Sequence, residues 1–187
     1  MQPALFLDRD GVIIENRQDY VRTWPDVVFY PQALSALEKI KTIPHKIFII
    51  TNQSAVGRGL ISHDIVRDIN NRLVKEIETS GGRIDDVFIC PHAPQENCTC
   101  RKPEPGLILE AAAKHSIELL ESIMIGDALT DIIAGQNAGI SQNVLVRTGR
   151  GLVQSYLPLA SQIPDFLIYE TLFDALEDIF PDLFDIP

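Results

Sequence analysis

Five short apolar runs punctuate the chain, at residues 3–7, 46–50, 86–89, 122–125 and 143–146. Each is too short for a helix and lacks the apolar–polar alternation of a half-exposed strand, so each predicts a strand covered on both faces. A sixth apolar strand is expected at 166–168. Between these runs, residues 31–41, 62–79, 106–116, 130–138 and 172–179 carry apolar positions at helical spacing. In 62–79, Ile65, Ile69, Leu73 and Ile77 recur every fourth position with Val66 and Val74 beside them, while Asp68, Arg72 and Lys75 can face water. Ser62 stands where an N-cap belongs. Strands alternating with helices predict right-handed crossovers and a three-layer, Rossmann-like α/β fold around a parallel sheet. Residues 150–164 are less patterned. A chain of 187 residues with 45% hydrophobic and 22% charged residues has the size and composition of one folded domain, expected over 1–187.

In an open parallel sheet the ligand site lies beyond the carboxyl ends of the strands. Polar chemistry sits there after four successive runs: Asp8-Arg-Asp-Gly11, Thr51-Asn-Gln-Ser54, Cys90-Pro-His92 and Gly126-Asp127. Asp8 and Asp10 are two apart in extended chain, so both carboxylates can project to one side, and Gly11 is free to turn. Such a pair can bind a divalent cation and divide labour between nucleophile and general acid–base. Asp127 would add the hard oxygen that Mg²⁺ prefers. Asp131, four residues later, reads equally as an acid favoured at a helix N-terminus. Thr51 to Ser54, running into a Gly-rich turn with Arg58, suits phosphate oxygens.

Net charge refines this picture. With 16 basic against 26 acidic residues the formal charge is −10, a field that repels nucleic acid and anionic lipid. A small phosphorylated substrate must therefore be met by local cations, and Arg101-Lys102 supplies an adjacent pair. Neither a membrane nor a nucleic-acid partner is expected. No apolar run approaches the length of a bilayer span and residues 1–15 do not read as a targeting signal, so the cytoplasm is the expected location, with a monomer as the expected state.

Three cysteines, an odd number, gather with a histidine in a short loop as Cys90-x-His92-x5-Cys98-x-Cys100. This Cys₃His set matches a closed tetrahedral Zn²⁺ site, and all four positions being protein makes it structural. Its expected job is to pin the loop, 90–100, that delivers Arg101 and Lys102. His45, His63 and His115 read as ordinary surface residues.

Taken together, residues 6–12, Thr51-Asn-Gln-Ser54, Cys90-Pro-His92 with 98–103, and Ile125-Gly-Asp127 with Asp131 resemble the haloacid dehalogenase superfamily. The likeness is strongest to its zinc-containing, capless subgroup, the heptose-1,7-bisphosphate and histidinol-phosphate phosphatases, and runs from about residue 3 to residue 151. The resemblance implies a HAD-like phosphatase with Asp8 as the nucleophile that becomes an aspartyl phosphate and Asp10 as general acid and base. It implies that Thr51 and Asn52 hold the phosphoryl group with Gln53 and Ser54 nearby, that Lys102 neutralises it beside Arg101, and that Asp8, Asp10 and Asp127 hold Mg²⁺. Too few residues separate Asp10 from Thr51 for a large cap domain, so specificity falls to short loops, and Asn16, Arg17, Asp19 and Tyr20 are expected near a sugar. Heptose enzymes often carry a basic residue after the Gly-Asp pair; here it is Ala128. The x5 zinc spacing is similar to histidinol-phosphate phosphatases, whereas residues 101–106 and 146–149 look like the heptose enzymes. The preferred substrate is D-glycero-D-manno-heptose 1,7-bisphosphate, losing its C7 phosphate, with L-histidinol phosphate second. The competing class is a phosphate-binding module without catalysis, separated from the first by phosphate release.

Overall fold

The computed structural model describes residues 1–185. Six parallel strands, β1 (Ala4–Leu7), β2 (Lys46–Asn52), β3 (Asp86–Cys90), β4 (Ile123–Gly126), β5 (Gln142–Val146) and β6 (Leu167–Tyr169), form one sheet in the order β3-β2-β1-β4-β5-β6. Among the described residues seven helices connect and cover it: α1 (Pro31–Lys39), α2 (Ser54–Gly57), α3 (His63–Thr79), α4 (Gly106–His115), α5 (Leu129–Ala138), α6 (Gly151–Ser155) and α7 (Leu172–Ile179).

Strand alternation divides the core in two. Leu5 and Leu7 of β1, with Ile47 and Ile49 of β2, pack against Leu37 of α1, Ile69 and Leu73 of α3 and Leu176 of α7. Ala4 and Phe6, with Phe48 and Ile50, face Leu107 and Ala111 of α4 and Ala134 of α5. The central strands are thus buried on both faces, as their unbroken apolar runs require. The edges differ: Val87 and Ile89 of β3 are half-buried, and Leu167 and Ile168 of β6 are exposed.

Ser62 Oγ accepts from the Ile65 N–H and caps α3. The buried stripe of α3 runs through Val66, Ile69, Leu73 and Ile77, whereas Ile65 lies outside it and is 43% exposed. The less patterned segment after residue 150 contains α6 and one 3₁₀ turn at Ala160–Gln162.

Between β1 and α1, residues 8–30 hold turns, bridge pairs and a 3₁₀ turn at Trp24–Asp26, and no inserted domain covers the sheet end there. Among the described residues no helix is long and apolar enough to cross a membrane. Strand order reverses beside β1, where β2 and β4 flank it on either side. Crossovers leaving to opposite sides at that point open the crevice that holds the polar residues.

Candidate active site

The crevice is a cleft of about 630 Å³ whose wall includes Asp8, Asp10, Asn52, Gln53, Ser54, Arg101 and Lys102. Asp8 follows β1 directly, and the pairing of β1 with β4, Leu7 against Ile125, brings it level with Gly126 and so beside Asp127. The Asp8 N–H donates to the Ile125 carbonyl at 2.9 Å, fixing that level. Side-chain oxygens of Asp8, Asp127 and Asp131, all buried, lie within 4.8 Å of one another. Two glycines permit this packing: a Cβ on Gly11 or on Gly149 would collide with the Asp127 carboxylate, and both adopt left-handed φ, +91° and +58°.

Such crowding of carboxylates needs cations. Lys102, itself 3% exposed, donates to Asp8 Oδ1 at 2.8 Å, Asp131 Oδ1 at 2.7 Å and the Ile50 carbonyl at 2.8 Å, using all three ammonium protons. Asp131 also accepts from the Ala128 N–H at 3.0 Å, so it caps α5 while pairing with Lys102. Asp127 takes the Arg150 guanidinium on both oxygens, 2.8 and 3.2 Å, and the Arg150 N–H at 2.8 Å. Burial raises Asp8 to about 6 against the pull of Lys102, with Asp131 and Asp10 adding to the rise. Burial likewise raises Asp127 despite Arg150, and Lys102 is held above its ordinary value because its two carboxylates outweigh its own burial. Counting Asp10 with its partner Arg9, four carboxylates face the three cations Arg9, Lys102 and Arg150. The floor is therefore one negative charge in excess. A divalent ion reverses that sign, and the oxygen donors are those Mg²⁺ takes, so the residues fit it.

The carboxylate of Asp10 points elsewhere. It is forked by Arg9, Nε to Oδ2 at 3.1 Å and Nη2 to Oδ1 at 3.0 Å, and it accepts from Gln53 Nε2 at 2.9 Å. Asp131, not Asp10, is the third side chain in the carboxylate cluster. Thr51 is fully buried at the end of β2; its hydroxyl accepts from Gln53 Nε2 at 2.7 Å and lies 3.5 Å from Asp10. Asn52 exchanges two hydrogen bonds with the backbone of Lys102, both 3.2 Å, locking β2 to the loop that carries the lysine.

That loop is drawn together by its own cluster. Cys90, His92, Cys98 and Cys100 form a four-donor group: Sγ–Sγ separations are 3.2, 3.4 and 3.6 Å, and His92 Nδ1 is 3.2 Å from Cys100 and 3.6 Å from Cys90. These approach the roughly 3.7 Å edge of a tetrahedron with Zn–S bonds of about 2.3 Å, and three thiols with one imidazole are a zinc donor set. Gly57 at the end of α2 donates to the Pro91 carbonyl at 2.8 Å, and a Cβ on it would strike Ala93 and Glu96, so the cysteine loop packs hard on the turn after β2.

At the mouth, Asn16, Arg17, Gln18 and Tyr20 line the cleft, but Asp19 does not. Its carbonyl accepts from Arg22 Nε at 2.8 Å in the exposed turn. His115 is no free surface residue: it bonds Asp86 at 2.8 Å and packs on Phe48. Arg9 and Arg150 went unread in the sequence. Arg150 had a local signal, a cation just beyond the carboxyl end of β5; Arg9, between two acids, had none.

Residues 99–175 match the HAD-hydrolase-like family. The D-glycero-β-D-manno-heptose-1,7-bisphosphate 7-phosphatase of Helicobacter pylori J99 is 42% identical over 147 residues, 76% of this chain and 82% of that protein. The D-glycero-α-D-manno-heptose-1,7-bisphosphate 7-phosphatase of Mycobacterium tuberculosis CDC 1551 is 43% identical over 140 residues, 73% of each. The crystal structure of the D,D-heptose 1,7-bisphosphate phosphatase of B. bronchiseptica, complexed with magnesium and phosphate, superposes with a TM-score of 0.88 at 29% identity, covering 97% of this chain and 99% of that one.

Proposed function

Because the chain belongs to the haloacid dehalogenase superfamily, with the heptose-1,7-bisphosphate 7-phosphatases as its relatives, we propose that it hydrolyses the C7 phosphate of D-glycero-D-manno-heptose 1,7-bisphosphate. The observation that carries the reading is Lys102, buried between Asp8 and Asp131 at the bottom of a cleft at the carboxyl ends of the strands. A charge held that rigidly costs no reorganisation when phosphoryl charge develops in front of it.

In this reading Asp8 attacks phosphorus, its oxygen forming a bond as the ester P–O bond breaks, and Asp10 gives a proton to the departing sugar oxygen. Asp10 then takes a proton from water, whose oxygen attacks phosphorus and releases Asp8. Thr51 and Asn52 hold the phosphoryl oxygens, with Gln53 and Ser54 against the substrate and Arg101 beside Lys102. Asp8 and Asp127 would hold Mg²⁺, with a further donor from the loop where Asp10 sits. Magnesium bound there supplies the positive charge that turns an acidic floor into a phosphate site. Cys90, His92, Cys98 and Cys100 would hold Zn²⁺, which cross-links the loop ahead of Arg101. Arg17 and Tyr20, at the mouth of the cleft, face the sugar in this reading, and Asp19, outside the cleft wall, does not.

Phosphate release from heptose 1,7-bisphosphate and from L-histidinol phosphate, measured side by side with Mg²⁺ and with Asp8→Asn as blank, tests the assignment. A preference for the heptose of tenfold or more in kcat/KM, about 1.4 kcal/mol at the transition state, is expected. The reverse preference transfers the protein to the histidinol substrate, and release from neither removes the reading.

A further inference from the structure

Asn70 interrupts the apolar stripe of α3. It lies between Ile69 and Leu73 on the buried face and is 3% exposed, where an amide is costly unless its bonds are made. Only half of it is satisfied. Its Oδ1 accepts from Arg9 Nη1 at 2.8 Å, while Nδ2 has no hydrogen-bond partner among the described residues. A leucine would serve the core better, so the amide's place there calls for a second reason.

Arg9 supplies it. Its guanidinium is fully buried, and two of its other nitrogens clasp Asp10: Nε reaches Oδ2 at 3.1 Å, and Nη2 lies 3.0 Å from Oδ1 and 2.9 Å from Oδ2. Asn70 fixes the end of the guanidinium farthest from the cleft, and so the plane in which Asp10 is gripped. The two oxygens of Asp10 are not equivalent. Oδ2 also takes Gln53 Nε2 at 2.9 Å and has Thr51 Oγ1 at 3.5 Å, while among the described residues Oδ1 takes only Arg9. The lone pair left free is on Oδ1.

We propose that Asn70, acting through Arg9, is a positioning residue for Asp10 that presents Oδ1 as the proton-exchanging atom. The inference rests on the phosphatase reading above and adds to it a residue on α3 outside the cleft wall. The proton leaves Oδ1 for the ester oxygen as the P–O bond breaks, and returns to Oδ1 from the attacking water. Removing the Asn70 acceptor frees Nη1 and lets the guanidinium rotate, which misdirects Oδ1 without removing any group that touches the phosphate.

The test uses leaving groups. A sugar phosphate needs its departing oxygen protonated; p-nitrophenyl phosphate does not, because nitrophenolate leaves as the anion. In Asn70→Leu, kcat/KM for the sugar phosphate is expected to fall about 10- to 100-fold, part of the range that general acid–base catalysis supplies, with little change for p-nitrophenyl phosphate. Since Asp10 is still needed as base in the second step, the variant should release a burst of nitrophenolate as aspartyl phosphate accumulates. Asn70→Asp keeps an acceptor in place and should recover most of the lost ratio. Asn70→Ala, which removes the same acceptor, should reproduce the selective loss and serves if the leucine variant does not fold. Equal losses on both esters, or no loss on the sugar phosphate, overturn the inference while the phosphatase reading stands. A wild-type protein inactive on both overturns the two together.

Discussion

Asp8 holds its charge at a cost. Burial lifts it to about 6 from an ordinary 3.8, so in the metal-free protein the folded state binds the proton more tightly than the unfolded chain. The sign follows from linkage: stability from this group is full below pH 3.8 and is lost as pH rises through 6. Asp8→Asn removes the buried charge while Asp131 still partners Lys102. The variant is expected to melt higher than the metal-free wild type above pH 6, to converge with it below pH 4, and to release no phosphate at any pH. Thermal scans across that range with parallel phosphate assays check both parts. Lys102→Ala is expected to slow phosphorylation of Asp8 about 10²-fold, the loss of one preorganised charge stabiliser; rapid-quench kinetics read this, with near-ultraviolet dichroism as the fold control. The places of Asp8 and Thr51 at strand ends and of Cys98 in the cysteine loop were legible in the sequence. Arg9, Arg150 and the buried pairing of Asp131 were not, because their partners lie far along the chain or, for Arg9, in an asparagine of another element.

At the scale of elements, the cysteine loop and the turn after β2 behave as one unit, joined by the Gly57 contact to Pro91 and by the paired bonds of Asn52 to Lys102. Cys98→Ser is therefore expected to lose zinc, read by elemental analysis of protein purified without chelator, and to raise KM for the phosphorylated substrate by loosening Arg101 and Lys102. The sheet and α3 should remain, as far-ultraviolet dichroism would show. Strand positions were readable because central strands buried on both faces must be continuously apolar. The stripe of α3 was misread at one end for a geometric reason. Each four-residue step advances about 40° around a helix, so a row that starts at Ile65 drifts off the face that buries Ile77, and Val66 takes its place. The short helices α2 and α6 hold too few turns to carry a period.

For the whole molecule, the acidic floor and the net charge of −10 act in the same direction against phosphate. Mg²⁺ is thus expected to stabilise the fold as well as the site, by about 2.7 kcal/mol at a hundredfold excess over its Kd. Differential scanning calorimetry should show a rise in Tm with MgCl₂ that disappears in Asp127→Ala. The alternation of strands and helices predicted a parallel sheet with its site at the carboxyl ends, but it did not contain the order of the strands. That order is set by long-range pairing, and it decides which loops face each other.

The same pairing has a consequence for how the protein comes into being. Leu5 lies beside Ile123, so the buried carboxylates Asp8 and Asp127 share a site only after a contact spanning most of the chain has closed. Contacts so distant in sequence are slow to form and come late in folding. A nascent chain that has emerged only as far as residue 115 contains β1, β2, β3 and the cysteine loop, yet of the three clustered carboxylates it holds Asp8 alone. Hydrolytic competence is therefore withheld until the segment that carries Asp127 and Asp131 has emerged and paired, and a chain terminated before that segment has no means of acquiring it.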